Sequence, residues 1–334
     1  MHDPAAPAPR PFALAESLDA FPDSLRGGIV AIGNFDGLHR GHQAVLDAAL
    51  TRAEAAGRPA FAMTFEPHPR SVFRPETPVF RLTPAGPKAR LIRAAGLDGL
   101  LVLPFDRDFA ARSADDFVGD ILVDRLGVAE AVVGWDFHFG RGRGGSPAFL
   151  AAEGAARGFA VSVIEAFQDE GGGPVSSSRI RDALAAGELG LANGLLGYRW
   201  FVEGTVIHGE KRGRDLGFPT ANVRLGADCR LAHGVYAVTF TVDGVQHLGV
   251  ANYGRRPQFD NGAPLLETFV FDFKGDLYGR TVQIGFASYL RPELRFPSVD
   301  ALVARMGEDC AEARAVLTAM GPGTALDRRL AELA

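Results

Sequence analysis

Between residues 29 and 165 the chain repeats one phrase: a short apolar run, then a stretch with apolar residues at helical spacing. "IVAIG" (29–33), "PAFAMTF" (59–65), "GLLVLPF" (99–105), "EAVVG" (130–134) and "FAVSVI" (159–164) read as strands. Segments near 41–56, 84–95, 113–126 and 147–157 read as helices. Strands that are apolar along their whole length are buried on both faces, and the helices between them supply the cover. The pattern predicts an α/β unit around a parallel sheet. Ligands of such sheets bind beyond the carboxyl ends of the strands.

The pattern changes near residue 200. "WFVEGTVIHG", "HGVYAVTFTVDGVQHLGVANYG", "LLETFVFDF" and "TVQIGFASYL" are strand-like runs separated by turn signals, with "VDGV" as a two-residue hairpin. This predicts an all-β unit, a small barrel. A helical stretch, "SVDALVARMGEDCAEARAVL", follows, with Ser298 as its N-cap. The domain boundary is expected at 188–200, giving a flexible segment over 1–26, a first domain over 27–190 and a second over 191–334. "EGGGP" (170–174) is the one further flexible-looking run.

At 334 residues the chain has material for two cores, and 47% hydrophobic with 22% charged residues is an ordinary globular mixture. A net charge of -5 gives no reason to expect a nucleic-acid or membrane-surface partner. The two cysteines, Cys229 and Cys310, are far apart, which fits a reducing cytoplasm and no disulfide framework. The Pro/Ala-rich opening lacks the apolar core of a signal peptide, and no stretch is long and apolar enough to span a membrane. The composition leaves the oligomeric state open, a weak homo-oligomer included.

Three pieces of the first domain carry chemistry. "GNFDGLHRGH" (33–42) bridges a strand and a helix, where backbone N–H groups and the positive end of the helix dipole favour phosphate. Its His39 and His42, three apart, are phosphate contacts, a solvated pair or zinc ligands; no third His or Cys is placed nearby as an obvious ligand. "GWDFHFGRGRGG" (134–145) follows a strand end. "SSSRIR" (176–181) opens a helix with three hydroxyls and two guanidinium groups, a suitable holder for a polyphosphate or merely a helix cap.

The β unit carries "GEKRGRDLGFPTANV" (209–223), a glycine- and cation-rich loop suited to phosphate but without the order of a Walker A loop. Thr220 and Asn222 lie two apart and share a face if extended, and hard oxygen ligands suit Mg²⁺. Glu267 interrupts an apolar strand, either on a solvated face or kept for proton transfer.

"GNFDGLHRGH" resembles the G-x-F-D-G-x-H-x-G-H signature of the nucleotidyltransferase superfamily. With "TFEPHPRSVF", "RLTP", "GWDFHFGRGR" and "SSSRIR" it resembles, in order, the adenylyltransferase half of the bacterial bifunctional riboflavin kinase/FMN adenylyltransferase family. "GEKRGRDLGFPTAN", "GVYAV", "GVANYGRRPQF" and "LLETFVFDFKGDLYG" resemble the flavokinase half. The resemblance runs from about residue 27 to 317.

It implies a Rossmann-like nucleotidyltransferase domain and a six-stranded antiparallel barrel with a C-terminal helix. Gly33, Asn34, Phe35, Asp36, Gly37, His39, Gly41 and His42, with Ser177, Ser178 and Arg181, would bind ATP for adenylyl transfer. The two histidines would contact its phosphates, with no protein nucleophile. Asp136, Phe137, Phe139 and Arg141 would help to bind FMN and the nucleotide. In the kinase, Gly209, Lys211, Gly213, Arg214, Gly217, Pro219, Thr220 and Asn222 would bind ATP, with Thr220 and Asn222 as Mg²⁺ ligands and Glu267 as the base acting on riboflavin. Three positions depart from the family pattern: Ser178 stands where Thr is usual, Phe269 where the base strand often has His, and Gln258 where "RPTF" has Thr.

Overall fold

The computed structural model describes residues 11–208, 218–255 and 264–333. They form two compact units: residues 11–79 with 88–174, and residues 80–87 with 175–208, 218–255 and 264–333.

The first unit is built on a six-stranded sheet. In chain order the strands are β1 (Ala13–Ala15), β2 (Ile29–Ile32), β3 (Ala60–Glu66), β4 (Gly99–Pro104), β5 (Glu130–Gly134) and β6 (Ala160–Ile164). All neighbours are parallel and the spatial order is β1-β4-β3-β2-β5-β6. The four residues of β2 are all buried, as an inner strand covered on both faces must be. From β2 the chain moves outward through β3 and β4, and later places β5 on the other side of β2. The direction of winding reverses between these two strands, and that reversal opens a crevice at their carboxyl ends.

Helix α1 (Arg40–Ala56) follows β2 directly. It buries Val45, Leu46, Ala49 and Ala53 along one face and stops at Gly57, whose left-handed φ of 63° suits glycine. The segment expected to be flexible up to residue 26 is ordered where it is described. Ala13–Ala15 pairs with β4, and Ala15, Phe21 and Leu25 are buried in the same core as β3 and β4. Residues 1–10 lie outside the described residues. The "EGGGP" run also has a definite shape: the Asp169 carboxylate accepts from the Gly171 and Gly173 N–H groups at 3.1 and 2.7 Å.

The second unit is a closed barrel of six strands, β7 (Phe201–Ile207), β8 (Thr220–Arg224), β9 (Gly234–Val242), β10 (Val245–Arg255), β11 (Pro264–Val270) and β12 (Thr281–Arg291), in the order β10-β11-β8-β7-β12-β9. Every pairing is antiparallel. The expected two-residue hairpin joins β9 to β10, with Asp243 and Gly244 both at positive φ. Helix α2 (Val299–Ala319) is capped by Ser298, which accepts from the Ala301 N–H at 3.1 Å. Its Ala313 and Leu317 pack on Val235, Ala237, Val250 and Phe271.

The division between the units differs from the boundary expected near 190. Two helices before the barrel, Ser177–Ala186 and Leu189–Leu196, belong to the barrel's unit, as do residues 80–87. The reason is a partly buried polar seam. Asn193 donates to the Phe286 carbonyl and accepts from the Trp200 N–H, the Trp200 indole donates to the Leu82 carbonyl, and the Arg181 Nε donates to the Phe80 carbonyl at 2.7 Å.

Candidate functional site

The crevice side of the first unit is formed by the turns after β2 and β5. Between Gly33 and His39 the backbone is tightly wound: Phe35, Gly37 and Leu38 have φ of 48°, 86° and 36°. For Phe35 and Leu38 this left-handed conformation costs about 1–2 kcal/mol each, an expense typical of functional turns. Burial of the turn's side chains offsets it, since Phe35, Asp36 and Leu38 are nearly inaccessible. The Phe35 ring folds over Gly33, where an added Cβ would lie 3.1 Å from it.

His39 is the N-cap of α1, and its Nδ1 accepts from the His42 N–H at 3.2 Å. In the neutral ring the proton therefore sits on Nε2. The two imidazoles stack at 3.7 Å, with the edge of His42 against Phe35. His42 is half-buried as a residue, but its Nδ1 is enclosed with no hydrogen-bond partner among the described residues. Burial, then His39 and then Lys88, hold its pKa well below the ordinary value of 6.5, so the ring is neutral at pH 7. Arg40 lies beside the pair, bonded to Glu170 at 2.6 Å and stacked over Phe167. Among the described residues no group of three or more His, Cys, Asp and Glu side chains is placed to hold a metal.

After β5, Trp135 is 56% exposed, and Asp136 and Arg141 are exposed. Phe137 is half-buried and stacks on Phe139 at 5.3 Å. Phe139, expected as a ligand contact, is itself core: it is 8% exposed, packs on Phe117 and Phe149, and fills the space a Gly145 side chain would need. Its place supports Phe137 from beneath. Ser177, Ser178 and Arg181 lie at the start of the helix capped by Ser176, within the barrel's unit, with Ser178 exposed.

In the barrel the register brings together residues far apart in sequence. Glu267 on β11 pairs with Asn222 on β8 and with Asn252 on β10. Residues paired across antiparallel strands share a face, so the carboxylate stands in a row between two amides. Thr220 lies two residues from Asn222 on that same face. Asn222 is 4% exposed, and its Oδ1 is buried with no partner among the described residues. A buried oxygen without a donor is costly unless something fills its lone pairs, and a hard cation fits. Pro219 is exposed. Phe269 packs edge-on against Phe218 and Phe271, so an aromatic ring serves where the family often has an imidazole. Gly209, Lys211, Gly213, Arg214 and Gly217, with Gln258, lie outside the described residues.

Sequence reading did not single out Arg40, Lys88 or Asn252. Arg40 was visible inside the histidine motif; Lys88 and Asn252 are brought to their sites only by folding.

The FAD synthetase family model matches residues 21–179 and the riboflavin kinase model residues 196–317. A bifunctional riboflavin kinase/FMN adenylyltransferase of Pseudomonas fluorescens is 44% identical over 292 residues, 87% of this chain and 93% of that protein. The protein of the same description from Escherichia coli K12 is 41% identical over 289 residues, 86% of this chain and 92% of its own. A crystal structure described as a macrolide-efflux protein from Streptococcus pneumoniae superposes with a TM-score of 0.79 at 28% identity, covering 91% of this chain and 98% of its own. No helix among the described residues of this chain is long and apolar enough to cross a membrane.

Proposed function

The chain belongs to the family of bifunctional riboflavin kinases/FMN adenylyltransferases, and on that premise we propose how its residues divide the two reactions. The enzyme phosphorylates riboflavin with ATP to give FMN. It then transfers the AMP part of a second ATP to FMN, giving FAD and pyrophosphate. The barrel carries the first reaction and the parallel-sheet unit the second, in the cytoplasm and without a nucleic-acid partner.

In adenylyl transfer an FMN phosphate oxygen attacks the α-phosphorus of ATP, and the α–β anhydride bond breaks. No protein nucleophile is needed; the enzyme positions the reactants and balances charge. His39 donates from Nε2–H to a phosphate oxygen, and neutral His42 stacks beside it as a second phosphate contact. Gly33, Asn34, Phe35, Asp36, Gly37 and Gly41 shape the nucleotide turn. Ser177, Ser178 and Arg181 keep the phosphate-binding role that their motif implies. Asp136, Phe137 and Arg141 face the flavin and nucleotide, and Phe139 backs Phe137. Support comes above all from placement: both motif turns leave neighbouring strands at the point where the sheet reverses direction.

In the kinase step Glu267 takes the proton of the ribityl 5′-hydroxyl as its oxygen bonds to the γ-phosphorus, and the β–γ anhydride bond breaks to release ADP. Thr220 and Asn222 would hold Mg²⁺, which when bound neutralises phosphate charge. The glycine- and cation-rich loop ending at Pro219 binds the ATP phosphates.

Incubation of the purified protein with riboflavin, ATP and Mg²⁺, followed by chromatography, tests the function. FMN should rise first and FAD should follow. Protein that binds flavin tightly but forms neither product would be a regulator that kept the folds and lost the chemistry.

A further inference from the structure

Lys88 is 1% exposed, a rare state for a lysine. It lies in the helix Ala85–Ala94, and its Nζ donates to Glu66 Oε1 at 3.0 Å and to Thr64 Oγ1 at 3.3 Å. Glu66 and Thr64 lie two apart at the end of β3, the strand beside β2. The Thr64 hydroxyl has one proton, and it goes to the Asn34 carbonyl at 3.0 Å. Direction therefore runs one way: ammonium to hydroxyl to carbonyl of the turn that carries His39 and His42. Burying the lysine of an ion pair whose glutamate is only partly covered is costly, and a well-packed apolar pair is often as stable or more so. Packing alone gives no reason for this pair. Its position does, because the relay ends on the backbone of the nucleotide turn and its positive charge acts on His42.

We propose that Lys88 is a positioning residue for adenylyl transfer: anchored on Glu66, it fixes the Asn34 end of the nucleotide turn through Thr64 and places positive charge beneath the site where phosphate charge shifts. This rests on the reading that the turn at 33–42 holds the phosphates of ATP.

The test uses the full-length enzyme in four variants. In Lys88→Met/Glu66→Gln both charges leave together, so no unpaired ion is buried. Thr64→Val keeps the ion pair and cuts the relay at nearly constant volume. Lys88→Met alone and His42→Ala are the references. Thermal midpoints, riboflavin phosphorylation, and kcat and KM for FAD formation from supplied FMN are measured for each. The double variant should unfold near the wild-type midpoint and phosphorylate riboflavin normally, while kcat for FAD formation falls at least tenfold and KM for ATP changes less. Thr64→Val should lower kcat in the same direction. A double variant or Thr64→Val enzyme with wild-type kcat, while His42→Ala is impaired, overturns the role of Lys88 and leaves the site standing. A His42→Ala enzyme that makes FAD at the wild-type rate overturns the nucleotide reading of the turn itself. If the double variant unfolds, Thr64→Val alone decides.

Discussion

Replacing Glu267 by glutamine removes one function and little else. Glu267 sits mid-strand on β11 with a ladder partner on each side, Asn222 and Asn252. An amide of the same shape can occupy that slot between two amides without burying a new charge. What disappears is the proton acceptor. General-base catalysis is worth about 10²–10⁴-fold, or about 2.7–5.4 kcal/mol at 1.36 kcal/mol per decade. The kcat for FMN formation at saturating ATP should fall by roughly that range, with a smaller change in KM for riboflavin. FAD formation from supplied FMN should stay near wild type. A kcat within about threefold of wild type, well short of the lower limit of that range, would refute the reasoning. The base would then have to come from elsewhere, and Asp272 is poorly suited. Its carboxylate is bonded to Arg314 at 2.9 and 3.2 Å, and that hydrogen bonding and charge hold its pKa below the usual value.

Four further outcomes follow from particular contacts. Gly41→Ala would set a Cβ 3.2 Å from the His39 ring, displacing it by a few tenths of an ångström, so FAD formation should drop while riboflavin phosphorylation persists. Asn222→Ala should raise the Mg²⁺ concentration needed for half-maximal kinase activity, read by titration; an unchanged requirement would remove Asn222 from the metal site. Asp309 is 3% exposed and binds the Arg291 guanidinium at 2.6 and 2.8 Å; Asp309→Ala leaves that charge without its partner and should cost about 3–5 kcal/mol in denaturant unfolding. His42 is neutral when folded and regains its ordinary pKa near 6.5 when unfolded, so the unfolded state binds the extra proton and stability falls as pH drops below 6.5. The slope is at most about 1.4 kcal/mol per pH unit, and His42→Asn should lose correspondingly less stability than wild type between pH 7.5 and 5.5.

The strands of the first unit were legible because each is apolar along its length, which few alternatives explain. The three residues of β1 were not, being too short to show any period; they are held by pairing with β4. The helix Ala325–Glu332 was missed as well, although Thr324 and Asp327 form a capping box at its start. The unit boundary was hidden because it depends on Trp200 reaching Leu82 and Arg181 reaching Phe80 across more than a hundred residues. Within the site, motif residues that cap or bend the chain, such as Gly33 and His39, can be read locally. Lys88 and Asn252 cannot, since strand order brings one under the turn and β10 register brings the other beside Glu267. The burial of Phe139, 8% exposed and packed on Phe117 and Phe149, likewise depends on tertiary packing that its motif does not reveal.

If two chemically separate sites in one chain act in sequence, two enzymes each disabled at one site should complement each other when mixed. His42→Ala alone, given riboflavin, ATP and Mg²⁺, should accumulate FMN and make little FAD. Glu267→Gln alone should make little of either from riboflavin, yet convert supplied FMN to FAD. Combined in one tube, the two should restore steady FAD production from riboflavin, with FMN released by one and consumed by the other. A mixture that makes no more FAD than the sum of its parts, or either variant alone making FAD from riboflavin at the wild-type rate, would contradict the division of labour between the two histidines and the glutamate.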